Sequence, residues 1–240
     1  MTIIWHGQSC FQIITSHNKN GQISIIIDPF SEEIGLRLPK LEADIILVTH
    51  NHADHNNVKA VSAATSASEP FLISGPGEYE VKGVFIRGIH SLSAANPRLA
   101  GDETKSQRPW HDEKQGKERG ENTIYTIETE DLKLCHLGDL GQKELAAEQL
   151  EKIGEVDILM IPVGGVYTIS AKEAPKIMSQ IEPKITIPMH YAIPRLKIKL
   201  ESSDKFLKTF GIKNLEPMKK LSIKKKDILL EEAKIVILKP

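Results

Sequence analysis

Four short apolar runs, each closed by polar punctuation, constrain this chain more than any other feature. They are "QISIIIDPF" (22–30), "ADIILVTH" (43–50), "VDILMIPVGG" (156–165) and "KITIPMH" (184–190). Rich in β-branched residues and too short for helices, they read as strands. Because the apolar residues are nearly continuous, these strands are expected to be covered on both faces. Between them lie segments of helical character. "KELAAEQLEKIG" (143–154) ends in Gly154, and "SAKEAPKIMSQI" (170–181) opens on Ser170 with Pro175 in its first turn. "NVKAVSAAT" (57–65) is expected to form a third helix, capped by Asn56 or Asn57. "PFLISGPGEYEVKGVFIRGIH" (70–90) reads as strands broken by Gly-Pro-Gly, and "NTIYTIETEDLKLCHLGD" (122–139) as a hairpin turning at Glu130-Asp131. Strands and helices interleave, so the class is α/β or α+β, with helices covering sheets.

Composition narrows the class of function. The chain has 240 residues, 40% apolar and 26% charged, with a formal net charge of −1. That suits one large globular domain or two small ones, and gives no whole-molecule attraction to nucleic acid or an anionic membrane. The N-terminal stretch lacks the basic region and cleavage site of a signal peptide. Cys10 and Cys135 sit in apolar runs and read as buried thiols rather than a disulfide framework, which points to the cytoplasm. Residues 91–121 lose apolar periodicity and read as a flexible charged loop. The basic stretch Arg195–Lys226 is interleaved with Ile, Leu and Phe, as on a solvated surface, and the basic tail from Arg195 to Pro240 reads as a helix and one or two edge strands.

The chemistry is concentrated where "ADIILVTH" ends. "HNHADH" places His50, His52, Asp54 and His55 within six positions. Imidazole and carboxylate together suit zinc, and also iron or manganese. Read as extended chain, His50 and His52 project to one side, with Asp54 and His55 following where the chain turns. Such a cluster needs distant partners. Three ligand-type residues close other strand-like runs: His90 after "VFIRGI", Asp139 after "LKLCHLG" and His190 after "ITIPM". Their shared placement suggests strand ends converging on one rim. His136 and His6 read as packing or supporting histidines, His17 and His111 as solvated ones. Trp110 is a candidate to close over substrate, Tyr167 a candidate contact on the rim, and "GPGEY" (75–79) a tight turn.

These residues resemble the metallo-β-lactamase-fold superfamily of metal-dependent hydrolases, and within it the small, lactonase-like zinc-dependent subgroup. The His-x-His-x-Asp-His signature stands as His50 to His55, "IIIDPF" is similar to the early strand whose aspartate supports the site, and "HLGDLG", "IPVGGVYTIS" and "PKITIPMHY" are similar to later motifs. The resemblance implies a single domain over 1–240, a four-layer αβ/βα sandwich with a dinuclear site between the sheets. It implies one metal on His50, His52 and His90, a second on Asp54, His55 and His190, and Asp139 as bridge. The cations would be zinc first, with manganese or iron as alternatives, and would activate a hydroxide against a small ester, lactone or phosphoester, Asp54 orienting it or taking its proton. His52 stands where redox-active diiron relatives carry glutamate, which favours hydrolysis. Where the family reads Gly-His-Ser, this chain reads Gly7-Gln8-Ser9. The expected partner is a small-molecule substrate, with no membrane and with oligomeric state open. The alternatives are a phosphodiesterase or nuclease acting on nucleic acid, and a metal-stabilised binding protein without turnover.

Overall fold

The computed structural model describes residues 1–17, 21–65, 68–94, 111–112, 117–118, 120–228 and 232–240. Most of the charged loop expected at 91–121, Trp110, and the side chains of His17 and His111 lie outside the described residues.

The apolar runs become strands because β-branched side chains pack well on a pleated surface. In chain order, the first half gives β1 (Thr2–Gly7), β2 (Cys10–His17), β3 (Gly21–Ile27), β4 (Leu41–Ala43), β5 (Ile45–Leu47), β6 (Val61–Ala63), β7 (Phe71–Ile73), β8 (Gly77–Val81) and β9 (Val84–Leu92). The second half gives β10 (His111–Asp112), β11 (Lys117–Glu118), β12 (Glu121–Thr129), β13 (Leu132–His136), α1 (Ala147–Ile153), β14 (Ile158–Pro162), α2 (Ala174–Ile181), β15 (Ile185–Met189), α3 (Ser203–Thr209), β16 (Leu221–Ser222), α4 (Lys225–Ile228) and β17 (Lys234–Ile235).

Two large mixed sheets result, ordered β16-β1-β2-β3-β5-β7 and β17-β15-β14-β13-β12-β9-β8. In each, hairpins supply antiparallel pairs on one side and crossovers supply parallel pairs on the other, β3-β5-β7 in the first sheet and β13-β14-β15-β17 in the second. The short strands of the basic tail, β16 and β17, edge both sheets.

The alternation along β3 defines the layers. Ile23, Ile25 and Ile27 join the main core with Phe11, Tyr125, Leu134 and Met160 of both sheets, while Ile26 turns to a second core with Cys10, Phe30, Ile46 and Val48. That strand is covered on both faces, as its continuous run requires. α1 packs on β9 and against α2 outside the second sheet.

Three local expectations are corrected. Residues 57–65 form no α-helix. A single 3₁₀ turn at Val58–Ala60 leads into β6, which pairs in parallel with β4 through Leu41, Glu42 and Ala43. Partnering with that edge outweighs the modest helix preference of the alanines. The helix expected from Ser170 begins at Ala174, because the Glu173 carboxylate accepts from the Ser170 backbone N–H and hydroxyl and holds 170–173 as a turn. The charged loop is shorter than 91–121, since β9 runs on through Leu92 and β12 starts at Glu121. The β12–β13 hairpin turns where expected, with Glu130 and Asp131 at φ 52° and 59°, the twist that suits a two-residue connection. No helix among the described residues is long and apolar enough to cross a membrane.

Candidate metal centre

Asp28, His50, Asp139 and His190 each follow the carboxyl end of a strand in the parallel part of a sheet: β3, β5, β13 and β15 in turn. In open α/β sheets such ends form the ligand crevice. The β1–β2 turn, Gly7-Gln8-Ser9, joins them at the same end.

Segment 49–55 coils rather than running extended. The His52 N–H donates to His50 O at 3.1 Å and the His55 N–H to His52 O at 3.0 Å. His50 and His52 still turn to one side, their ring centroids 5.3 Å apart, but through a coil rather than an extended chain, and His52 stands on the open side, its side chain 53% exposed. Asp28, fully buried with φ 48°, anchors the coil. Its Oδ1 accepts from the Thr49 N–H at 2.8 Å, and its Oδ2 from the Thr49 hydroxyl at 2.8 Å and from His55 Nδ1 at 2.9 Å.

Those contacts fix two tautomers. Asp28 takes the Nδ1 proton of His55, so Nε2 is the nitrogen left to offer a cation. Thr49 has committed its hydrogen to Asp28, so its oxygen accepts from His50 Nδ1 at 3.0 Å, leaving His50 Nε2 bare as well. Both bare nitrogens face the Asp139 carboxylate, His55 Nε2 at 3.3 Å from Oδ1 and His50 Nε2 at 3.9 Å from Oδ2. His190 Nε2 lies 3.5 Å from Asp139 Oδ2, and His55 Nε2 3.5 Å from Asp54 Oδ2. With bonds of ~2.0–2.2 Å, neighbouring ligands of one cation stand about 3.0–3.6 Å apart. Two groups bring one ligand atom per residue within 4.8 Å of one another: His50, His55 and Asp139, and Asp54, His55 and His190.

The donor set fits cations. His55 Nε2 is buried without a hydrogen-bond partner, although two carboxylates face it. Lone pair against lone pair is repulsive unless positive charge sits between them. Burial opposes charge on His55, yet Asp139, Asp54 and Asp28 outweigh it and raise its pKa well above the ordinary value. Burial also works against ionised Asp54 and Asp139. The surrounding histidines, with His55 first for Asp54 and His190 first for Asp139, nevertheless hold both below the usual carboxylate range. Burial, then the neighbouring His55, brings His50 down to about 4 and keeps its imidazole neutral. Carboxylates that draw positive charge onto a buried imidazole make a place that a divalent cation, displacing that proton, would fill.

The structure thus brings together His50, Asp54, His55, Asp139 and His190. His52 stands at the edge of the cluster, its ring centroid 5.3 Å from that of His50 and its Nδ1 3.8 Å from Asp54 Oδ1. His90 belongs to neither group. Its register opposite Thr123 places it on the face of β9 that looks toward the first sheet, but its ring is exposed at the rim.

Supporting residues complete the frame. Asn122, nearly fully buried, accepts the Asp139 N–H at 2.9 Å and donates to Ser91 Oγ at 2.7 Å and Leu137 O at 2.9 Å. His136 accepts from the Gly138 N–H at 3.1 Å and donates to Ser9 O at 3.0 Å, which makes it a supporting histidine. Gly138 has φ 56°, and a Cβ there would lie 2.3 Å from Asn122 Oδ1. Gly164 packs so closely on His190 that a Cβ would meet its carbonyl oxygen at 2.1 Å. Sequence reading passed over Asn122, whose one signal is a lone amide at the head of a buried strand.

A two-sheet sandwich with histidines and aspartates gathered at its strand ends defines a metallo-hydrolase-like class. Residues 2–190 match the family model for the beta-lactamase superfamily domain, and the chain belongs to that family. A metal-dependent hydrolase of Thermoplasma volcanium is 32% identical over 201 residues, covering 79% of this chain and 82% of that protein. One of Staphylothermus marinus is 33% identical over 196 residues, covering 77% and 81%. A crystal structure from Thermotoga maritima, described as a candidate zinc-dependent hydrolase of the metallo-beta-lactamase superfamily, superposes with a TM-score of 0.71 at 32% identity, covering 99% of this chain and 97% of that one.

Proposed function

We propose that this metal-dependent hydrolase works with two divalent cations on a small ester, lactone or phosphoester. The observation that carries the reading is the partnerless His55 Nε2, fixed by Asp28 and facing two carboxylates. Since Nδ1 is engaged, His55 has one nitrogen to offer and serves one cation. Asp54, His55 and His190 would hold one cation, and His50 the other, with the Asp139 carboxylate between them. His52 and His90 stand on the open side, within reach of substrate or of an exchangeable position. Divalent cations held there supply Lewis-acid polarisation and the activation of water near neutral pH.

The chain's own groups do the rest. Asp54 keeps Oδ2 toward His55 and turns Oδ1 outward toward His52. It is the carboxylate placed to orient or accept a proton at the open face. Buried His55 and His190 exclude water from beneath the site, so substrate approaches over His52 and Asp54. Zinc, manganese and iron(II) all suit the donors. A small-molecule substrate and a cytoplasmic setting accompany this reading.

The test is a panel of chromogenic esters, lactones and bis(p-nitrophenyl) phosphate, assayed with added zinc or manganese and again after chelation. Metal-dependent turnover of an ester or lactone is the expected result. Turnover of the phosphodiester alone would move the function to phosphodiesterase chemistry. Bound metal with no turnover of any substrate would make the protein a metal-stabilised binder.

A further inference from the structure

Gln8 occupies the β1–β2 turn, and it is bound into the site from both ends. It is fully buried, with φ 53°, a conformation non-glycine residues adopt at some cost. Its carbonyl accepts from the Trp5 indole N–H at 2.9 Å and from the His190 N–H at 3.0 Å. Its carboxamide nitrogen stands 3.0 Å from Asp54 Oδ2 and 2.9 Å from His190 Nε2, two of the three ligand atoms in one candidate set. Its amide oxygen is buried with no partner.

One cation on that set changes what Gln8 can do. A cation takes the single lone pair of His190 Nε2, so an amide N–H can no longer donate there. A half-turn about the last side-chain bond exchanges the amide oxygen and nitrogen without moving the chain. The oxygen then stands where the nitrogen stood, beside Asp54 Oδ2 and His190 Nε2. Neighbouring ligands of an octahedral cation with bonds of ~2.1 Å are about 3.0 Å apart. The 2.9 and 3.0 Å contacts of Gln8 have that spacing.

We propose that the Gln8 carboxamide oxygen is a further ligand of the cation held by Asp54, His55 and His190, a placement that rests on the two-cation reading above. A neutral oxygen in place of an imidazole makes this end of the site harder than the His50 end. It therefore favours manganese or iron(II) over zinc relative to a nitrogen at the same place.

The experiment titrates metal-stripped protein with Mn²⁺ by calorimetry, counts bound manganese by elemental analysis, and determines the crystal structure of the loaded protein. Wild type is expected to take two equivalents, with the Gln8 oxygen at about 2.2 Å from one manganese. Gln8→Leu is expected to weaken one equivalent by at least ~10-fold and leave the other unchanged, while Gln8→Glu, which keeps an oxygen, retains both. Thermal melting in chelator shows whether each variant is folded. Wild type binding fewer than two equivalents would end the two-cation reading, and this inference with it. Two equivalents in wild type and unchanged affinities in Gln8→Leu would overturn the inference alone. So would a loaded structure with the amide nitrogen still on Asp54 and the oxygen beyond bonding distance.

Discussion

Asp28→Asn isolates the role of tautomer control. The substitution suits the backbone, because asparagine tolerates the left-handed conformation seen at φ 48°. An amide oxygen in the Oδ1 position still accepts the Thr49 N–H. The NH₂ then occupies the Oδ2 position, where it meets two donors: the Thr49 hydroxyl at 2.8 Å and His55 Nδ1 at 2.9 Å. The hydroxyl can rotate away. The imidazole can escape donor–donor conflict only by moving its proton to Nε2, the nitrogen that faces Asp54 and Asp139. A protonated Nε2 is no metal ligand. Loss of an orienting partner of this kind typically weakens metal binding 10–100-fold, or about 1.4–2.7 kcal/mol. Giving up charge-assisted hydrogen bonds costs the metal-stripped fold about 1.5–3 kcal/mol in addition. Metal affinity is read by competition with a fluorescent chelator, and the tautomer by ¹⁵N chemical shifts of His55. An Asp28→Asn protein that binds metal as tightly as wild type, with His55 still protonated at Nδ1, would refute the reasoning.

Gly138→Ala is expected to be strongly destabilising, since the added Cβ would stand 2.3 Å from Asn122 Oδ1 on a backbone already at φ 56°. Conformation alone costs about 1–2 kcal/mol and the clash adds to it, so the melting temperature and soluble yield should both fall. His90→Ala is expected to leave metal stoichiometry unchanged and to alter KM at most, because the ring belongs to neither ligand group. Elemental analysis that found one equivalent lost would restore the ligand role implied by family resemblance. Glu130 gives a pH prediction remote from the metals. Its partial burial works the other way, but hydrogen bonds from the Met1 ammonium, Ser16 N–H and Thr15 hydroxyl bring its carboxyl down from 4.5 to about 2. The stabilisation is therefore complete above the unfolded value and lost as pH falls toward 2. Glu130→Gln should melt below wild type at pH 7, with the gap closing between pH 4.5 and 2.

The doubly covered strands were legible because burial on both faces leaves a continuous apolar run, as in β3, β5, β14 and β15. Hairpin turns were legible from Glu130-Asp131. The fate of 57–65 was not, because its partner is β4, some twenty residues earlier, and local preference carries no information about such pairing. The backbone path to His52 was not legible for a related reason. The extended reading of His-x-His assumes that the strand persists, whereas β5 ends at Leu47 and the chain coils under hydrogen bonds to Asp28. Asn122 gave little usable signal, because its partners Leu137 and Asp139 lie in the loop just past β13 and its role exists only once β12 and β13 have paired.

Backbone strain ties the legible part to the illegible one. Gln8, Asp28 and His190 are all non-glycine residues in the left-handed region, at φ 53°, 48° and 51°. Each lies at or just beyond the end of a strand or in a strand-to-strand turn, and each is fully buried at the site. Such conformations cost of order 1–3 kcal/mol apiece and persist only where surrounding contacts over-determine them. Here they do: Asp28 accepts three hydrogen bonds, the Gln8 carbonyl accepts two, and one of those two comes from the His190 N–H. Gln8 and His190 thus support one another directly, while Asp28 is held through Thr49 and His55. Ligand-type residues after buried runs can be read from sequence, but this mutual support cannot. Relaxing the turn, as a glycine at position 8 would, should loosen His190, and is expected to lower metal affinity even though glycine removes the local strain.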